Sequence, residues 1–360
     1  MSDKRPQDWL RPEIMALNAY HVPPAQNMIK LDAMENPYSW PESLQAEWQD
    51  CLASVAVNRY PDASAAELKR LLRQHFGIAG HQDLLLGNGS DEIIQLLAMA
   101  LARPGATLLA PEPGFVMYRM IAEFAGLNYV PVPLNADFDL DEAAMLAAIE
   151  AHQPALVFLA VPNNPTGNTF SETVLRKVVA VCPGVVVIDE AYTAFTDADY
   201  LPLCDEFSHV LVMRTVSKMG LAGLRLGFLV GGPQWLGELE KMRLPYNINS
   251  LTQAAAEFAM RHGDVLTEQS RLLVAQRQRL FDALSAMPGL KVWPSEANFI
   301  LVRCLDRQAT EVHQALKQRG ILIKCLHGAH PALDQCLRLT VGTPEEMSAL
   351  LTALSEELAS

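Results

Sequence analysis

Short runs of consecutive apolar residues alternate with helical patterns through the first two thirds of the chain. Most of these runs are apolar on both faces, as strands are in a sheet that helices cover on each side. The candidate strands are 83–87, 107–111, 155–162, 185–192, 209–216 and 225–231. The pattern predicts an α/β fold with a mostly parallel sheet, in which ligand-binding groups collect at the strand ends.

The pattern changes after about residue 248. Two long helical stretches, 252–263 and 265–287, are followed there by shorter strand-like segments. At 360 residues the chain also exceeds the usual size of one hydrophobic core. We therefore predict a large domain over 31–248 and a smaller α+β domain over 249–360. The proline-containing residues 1–30 are expected to form an arm that packs on another body, such as a second subunit.

Composition narrows the class of protein further. The chain has 28 basic and 41 acidic side chains and a net charge of −13, which disfavours nucleic acid or an anionic membrane as a partner. Charges and prolines occupy the start of the sequence where a signal peptide needs an apolar stretch, and no later apolar run approaches spanning length. A cytoplasmic protein is expected. The six cysteines form no CxxC pair and lack zinc-like histidine spacing, so reduced thiols and no metal site are predicted.

Lys218 follows Ser217 at the end of an apolar strand, where a lysine is placed to form a Schiff base. A solvated surface charge is the plainer alternative. The glycine-rich stretch that follows would let backbone approach a phosphate, and Arg225 could add a bidentate cation. Asp189 ends the apolar run VVVID, and an acid at the end of a buried strand needs a cationic partner unless it caps a helix. A protonated pyridine nitrogen would be such a partner.

Two further motifs lie at strand ends. The segment VPNNPTG at 161–167 is either a turn or a loop that places the amide of Asn164 to donate to a phenolic oxygen, which Tyr192 could also reach. The segment GNGSDE at 87–92 opens a helix whose free N–H groups can hold a phosphate, although a simple helix cap would look the same. Its spacing fits neither GxGxxG nor GxxxxGK[ST], which weakens nucleotide-binding interpretations. Taken together, these strand-end groups predict a site for pyridoxal 5′-phosphate (PLP).

The order GNGSDE, VPNNPTG, VIDEAY, SKMGLAGLRLG resembles the fold-type I, class I/II aminotransferases over nearly the whole chain. Further segments are similar to the histidinol-phosphate aminotransferase family within that group. These segments are LNAYHVPPA (17–25), KLDAMENPY (30–38), RYPD (59–62), FVMY (115–118), SEANFILVR (295–303) and LRLTVGTPEEM (337–347).

The resemblance implies a role for each matching residue. Lys218 would form the Schiff base and move the substrate α-proton, and Asp189 would pair with the pyridine nitrogen. Asn164 and Tyr192 would bind the phenolic oxygen, and Phe115 would stack on the ring. The phosphate would be held by Ser217, Arg225 and the backbone around Gly89, Ser90 and Asp91, with Tyr60 reaching in from the other subunit of a homodimer. The substrate would be bound by Arg338, Tyr20 and Asn298.

The activity implied is a transamination in histidine biosynthesis. It interconverts histidinol phosphate plus 2-oxoglutarate with imidazole acetol phosphate plus glutamate. An aromatic aminotransferase or a threonine-phosphate decarboxylase would share the cofactor motifs and stays an alternative; a PLP-sensing regulator or a nucleotide-binding module is disfavoured. Two departures from the family pattern bear on the site. Met34 stands where the family commonly has asparagine, and Lys218 and Arg225 are seven residues apart rather than the usual eight.

Overall fold

The computed structural model describes residues 5–17, 19 and 22–359. The described strands are β1 (Ile29–Leu31), β2 (Asp83–Gly87), β3 (Thr107–Glu112), β4 (Asn128–Pro133), β5 (Leu156–Ala160), β6 (Val185–Asp189), β7 (Val210–Thr215), β8 (Gly227–Gly231), β9 (Leu290–Val292), β10 (Phe299–Cys304), β11 (Ile321–Cys325) and β12 (Cys336–Thr340). The described α-helices are α1 (Pro12–Met15), α2 (Glu42–Ala53), α3 (Ala66–Phe76), α4 (Ser90–Leu101), α5 (Val116–Ala125), α6 (Glu142–His152), α7 (Glu172–Val181), α8 (Leu203–Glu206), α9 (Pro233–Glu240), α10 (Ser250–Arg261), α11 (Gly263–Ser285), α12 (Ala309–Gln318) and α13 (Pro344–Ala359). A π-helical turn covers Ser217–Leu221, and 3₁₀ turns cover Pro6–Asp8, Thr193–Phe195, Ala222–Leu224 and Pro331–Leu333.

Seven strands form the larger sheet, in the order β2-β8-β7-β6-β5-β3-β4. Strand β8 is antiparallel to both of its neighbours, and the other strands pair in parallel. The predicted α/β fold with a mostly parallel sheet is therefore confirmed. β4 was not among the predicted strands because its sequence, NYVPVP, carries two prolines, which a sheet accepts at an edge.

Both faces of the larger sheet are buried beneath helices. Because successive side chains of a strand point to opposite sides, each strand contributes to two cores. In β5, Val157 packs into one core and its neighbour Phe158 into the other. Residues of α3, α6, α7 and α10 cover the first face, and residues of α4, α5 and α9 cover the second.

Local signals set several helix ends. Asp141 and Asn249 cap α6 and α10 with their side-chain oxygens, and α5 ends at Gly126 in the left-handed conformation.

Five strands form the smaller sheet, in the order β1-β11-β12-β10-β9. It is antiparallel except where β1 pairs with β11, with Lys30 opposite Leu322. A separate core lies against it, built from α11, α12 and α13 together with the inner faces of the strands. Leu31 of β1 belongs to this core, although it opens the predicted large domain.

The two cores meet within α11 rather than at residue 249. Ala256 and Met260 of α10 and Leu266 of α11 pack into the core of the larger sheet, whereas Leu273 packs into that of the smaller one. The predicted division at 248/249 stays a prediction, but by core packing α10 lies with the larger sheet. Helical periodicity in the sequence does not tell which core a helix faces.

Within the predicted N-terminal arm, α1 lies on α5, where the Arg11 guanidinium donates to the Phe124 carbonyl. All six cysteines are free thiols. Among the residues that the structure describes, no helix combines the length and the apolar character that crossing a membrane requires.

Candidate active site

Most of the residues predicted to bind the cofactor lie together at one edge of the larger sheet. The carboxyl ends of β5, β6 and β7 and the amino end of the antiparallel β8 all open there, which is where open α/β sheets bind ligands. A pocket at this edge is lined by Met34, Ser90, Asp91, Phe115, Ala160, Pro162, Asn164, Asp189, Ala191, Tyr192, Thr215, Ser217, Lys218 and Arg225. Nine of the predicted cofactor-binding residues are in this lining, far apart in sequence but brought together by the topology.

Asp189 is the last residue of β6 and is 4% exposed. Its Oδ2 accepts a hydrogen bond from the Tyr118 hydroxyl at 2.6 Å, and its Oδ1 accepts one from the Ala191 backbone N–H at 3.1 Å. Burial raises the pKa of this carboxyl to about 6, although both hydrogen bonds act to lower it. A cation placed in the pocket beside Asp189 would restore its ionised form.

Lys218 lies in the π-helical turn that follows β7, and its Nζ donates to the Ala33 carbonyl at 3.3 Å. The ammonium is also 5.9 Å from the centre of the Tyr192 ring. Burial lowers the pKa of Lys218 to about 8, and the positive charges of Arg338 and Arg225 act in the same direction. A minor part of the amine is therefore neutral and nucleophilic near neutral pH, far more than for an ordinary lysine.

Arg225 reaches the pocket despite the short loop. Its backbone is left-handed, with φ of 49°, and its guanidinium lies 3.5 Å from Ser217 Oγ and 3.3 Å from Asp91 Oδ2. Gly89 caps the N-terminus of α4, and a Cβ there would lie 2.6 Å from Arg225 Nη2. Since only glycine leaves this space open, the guanidinium and the free N–H groups of α4 face the same small volume, which suits a phosphate. Two tight turns, Ser217–Leu221 and Ala222–Leu224, lead through this loop to Arg225.

Asn164, in the lining of the pocket, is hydrogen-bonded to Arg338. The Asn164 Oδ1 accepts from Arg338 Nη1 at 2.5 Å, which leaves the Asn164 Nδ2 as the group able to donate to a ligand. Arg338 Nη2 donates to the Asp32 carbonyl at 2.8 Å. The guanidinium, on β12 of the smaller sheet, is buried and packs over the Phe299 ring. The site is thus assembled from both sheets.

Two aromatic residues complete the predicted set in the pocket. Phe115 immediately precedes α5 and lines the pocket, with its ring 5.5 Å from that of Tyr118. Tyr192 is buried against Phe299, with ring centres 5.2 Å apart, and burial raises the pKa of its hydroxyl. It therefore remains a proton donor at physiological pH.

Two predicted residues, Tyr60 and Asn298, do not line the pocket described above. Tyr60 is 81% exposed and stacks on Tyr246 at 4.6 Å, away from the pocket of its own chain. Asn298 is buried, and its Nδ2 donates to the Met34 carbonyl at 3.0 Å, which holds Met34 in place; its contact with substrate stays a prediction. Tyr20 lies outside the described residues.

Two features at the site were not predicted from the sequence: the contact of Tyr118 with Asp189 and the backbone conformation of Met34. Tyr118 bonds Asp189 and belongs to the FVMY motif, one helical turn beyond Phe115, a spacing that could have drawn attention to it. Met34 lines the pocket in a left-handed conformation with φ of 54°. The preceding carbonyls, of Asp32 and Ala33, accept from Arg338 and Lys218. These backbone contacts follow from the tertiary fold and have no signal in residue type.

The fold, together with the side chains at this sheet edge, is that of the PLP-dependent transferases. A family model described as aminotransferase class I and II matches residues 26–354, so the chain belongs to that aminotransferase family. The protein is thus a PLP-dependent transaminase, as predicted.

Individual similar proteins point to one group within the aminotransferase family. The chain is 51% identical over 354 residues to histidinol-phosphate aminotransferase 2 of Nitrosococcus oceani, covering 98% of each chain. It is 54% identical over 348 residues to histidinol-phosphate aminotransferase of Chromobacterium violaceum, covering 97% of each. The crystal structure of histidinol-phosphate aminotransferase from Sinorhizobium meliloti in complex with pyridoxal-5′-phosphate is similar in fold, with a TM-score of 0.85, 25% identity and 98% of each chain covered. The predicted resemblance to that family is confirmed.

Proposed function

We propose that the protein exchanges an amino group between histidinol phosphate and 2-oxoglutarate, giving imidazole acetol phosphate and glutamate, in histidine biosynthesis. The observation that carries this proposal is the buried Arg338 guanidinium, which is hydrogen-bonded to Asn164 in the lining of the pocket that holds Lys218. Identities above 50% with proteins named for this substrate support it.

The residues present fit PLP. Asp189 offers a carboxylate for the pyridine nitrogen, the Asn164 amide and the Tyr192 hydroxyl offer donors for the phenolic oxygen, and Phe115 offers a ring for stacking. Gly89, Ser90, Asp91, Ser217 and Arg225 surround the space for the phosphate. When bound, PLP supplies the electron sink for bond breaking at the substrate α-carbon.

Lys218 is the group proposed to move the α-proton. Its Nζ projects into the pocket from the end of β7, and the lowered pKa keeps part of the amine neutral, as a base requires. The hydrogen bond to the Ala33 carbonyl is long, at 3.3 Å, so the amine is held only weakly where it lies. Lys218 can therefore shift toward a substrate without breaking a strong interaction.

Arg338 is proposed to bind the anionic end of each substrate. One partner carries an α-carboxylate and the other a phosphate ester, and a planar guanidinium fits either in bidentate geometry. In the described structure, Arg338 donates to an amide oxygen and a backbone carbonyl, both neutral acceptors. An anion would bind it more strongly than these acceptors, because charge-assisted hydrogen bonds are roughly twice as strong as neutral ones.

The substrate proposal is tested by a spectrally monitored half-reaction. The PLP-loaded protein is mixed separately with histidinol phosphate, phenylalanine and threonine phosphate, and the change in cofactor absorbance is followed. Fast change with histidinol phosphate alone is expected. An equal rate with phenylalanine would indicate an aromatic aminotransferase, and carbon dioxide release from threonine phosphate would indicate a decarboxylase.

Arg338→Lys provides a second test of the same proposal. The variant keeps the charge but loses the bidentate fork, so kcat/KM should fall by at least about tenfold for both histidinol phosphate and glutamate. Arg303→Lys is the matched control, since Arg303 is a partly buried arginine on the neighbouring β10, with its guanidinium over the Trp293 ring. Equal effects of the two substitutions would contradict the role given to Arg338.

We also propose a cytoplasmic homodimer with shared active sites. The support is Tyr60, whose exposed ring stacks on Tyr246 outside the pocket of its own chain and so is available to a neighbouring subunit. Mixing Tyr60→Ala with Lys218→Ala subunits should raise activity above that of either variant, because one site of each mixed dimer regains both residues. No gain on mixing, or a monomer by sedimentation, would refute a shared site.

A further inference from the structure

Tyr118 is the buried residue in direct contact with Asp189 to which no function has yet been given. We propose that Tyr118 is a positioning residue for the cofactor: its hydroxyl fixes the orientation of the Asp189 carboxylate and keeps it ionised for the pyridine nitrogen. The inference rests on the role that the proposed function gives to Asp189.

The geometry divides the Asp189 carboxylate between two fixed donors. The Tyr118 hydroxyl occupies Oδ2 at 2.6 Å and the Ala191 N–H occupies Oδ1 at 3.1 Å, so neither oxygen is free to rotate away. A carboxylate has about four lone-pair sites, so each oxygen can still accept another donor. Asp189 also lines the pocket, and that additional donor can come from a ligand there.

The Tyr118 ring is itself held in place. It is 2% exposed and stacks face to face on Phe158 of β5, with ring centres 4.5 Å apart and planes 7° from parallel. Phe115 meets the same ring edge to face, with ring centres 5.5 Å apart. One short segment therefore carries both Phe115, which is proposed to stack on the cofactor ring, and Tyr118, which donates to Asp189. The position of the cofactor ring and the orientation of the carboxylate are then set by the same segment.

The charges around Asp189 show why such a donor is needed. Burial, followed by the negative charges of Asp91 and Glu190, raises the pKa of Asp189, and the two hydrogen bonds oppose this rise. Lys218, Arg225 and the Tyr192 hydroxyl also face the pocket. The pKa of Tyr118 is raised far above its ordinary range by burial and by Asp189, so its hydroxyl keeps its proton and donates throughout the working pH range.

The test compares Tyr118→Phe with Tyr129→Phe. Tyr129 is a matched control, since its hydroxyl also donates to a carboxylate, that of Glu112, at 2.9 Å, outside the pocket. The dissociation constant of PLP from the unloaded protein is measured by titration, and the protonation of the bound pyridine nitrogen by ¹⁵N NMR of labelled PLP. We expect Tyr118→Phe to weaken PLP binding by about tenfold or more, as loss of a hydrogen bond to a charged group does, and to shift the ¹⁵N signal toward the unprotonated position. Tyr129→Phe should stay within about twofold of the parent.

A double variant separates positioning from packing. With Asp189→Asn already present, adding Tyr118→Phe should change PLP affinity by less than about threefold, because no carboxylate remains to be held. An equally large loss in that background, or a parental ¹⁵N signal in Tyr118→Phe, would overturn the inference. No substrate is used in these measurements, so a protein with Tyr118-dependent PLP binding but no turnover of histidinol phosphate would refute the proposed reaction and leave this inference standing.

Discussion

A buried ion pair one residue beyond Asp189 makes a quantitative prediction about stability. Arg214 Nε donates to Glu190 Oε2 at 2.6 Å, and Nη2 donates to Asp199 Oδ1 at 2.8 Å. Arg214 is 4% exposed and Glu190 1%, whereas the Asp199 side chain is largely exposed. Replacing Arg214 by methionine leaves the Glu190 charge buried without its cation. We expect Arg214→Met to lower the free energy of unfolding by about 3–5 kcal/mol, the usual cost of removing one partner of a buried pair.

The pH dependence of this loss has a definite sign. Burial already raises the pKa of Glu190, and Arg214 opposes that rise, so the substitution raises the pKa further. Between the unfolded pKa and this higher folded pKa, the native state binds a proton that the unfolded state releases. Stability of the variant then falls as pH rises, by at most about 1.4 kcal/mol per pH unit. The difference from the parent protein should therefore be smaller at pH 5 than at pH 8.

The assay is urea unfolding of both proteins at fixed concentration and at both pH values, with Arg214→Met/Glu190→Gln as the control. Glutamine keeps an oxygen for the Tyr200 N–H, which donates to Glu190 Oε1 at 2.8 Å, but carries no charge. The double variant should recover at least about 1 kcal/mol at pH 8, because an uncompensated charge is the main cost. A double variant less stable than Arg214→Met, or a loss independent of pH, would refute the reasoning.

Three further predictions concern the site and the surface. Lys218→Ala should abolish steady-state transamination while the protein stays folded; steady turnover with PLP bound would contradict the role of Lys218. The rate at which unloaded protein takes up PLP, followed by absorbance, should rise with pH through about 8 as the Lys218 amine loses its proton, and Arg338→Met should move this midpoint upward because it removes a charge that lowers the pKa. Gln153 ends α6 in the left-handed conformation with φ of 42°, so Gln153→Gly should raise the free energy of unfolding by about 0.5–1 kcal/mol, with Gln153→Ala as a control that gains nothing.

The sequence predicted the type of fold and most of the pocket because the signals were local. A run such as VVVID is apolar at every position, which indicates a strand covered on both sides, and the acid at its end marks the sheet edge. Lys218 and Asn164 follow other strands in the same way. Once the strands are parallel, their carboxyl ends must meet. Residue type and strand position were sufficient there.

Only the tertiary structure decided the features that depend on distant contacts. The pairing of β1 with β11 joins segments almost 300 residues apart, and α10 faces the core of the larger sheet although it lies beyond the predicted boundary. The hydrogen bond from Tyr118 to Asp189 and the left-handed Met34 likewise depend on how helix, strand and loop are docked. Periodicity tells which face of an element is apolar and not which partner covers it, so these contacts follow from packing alone.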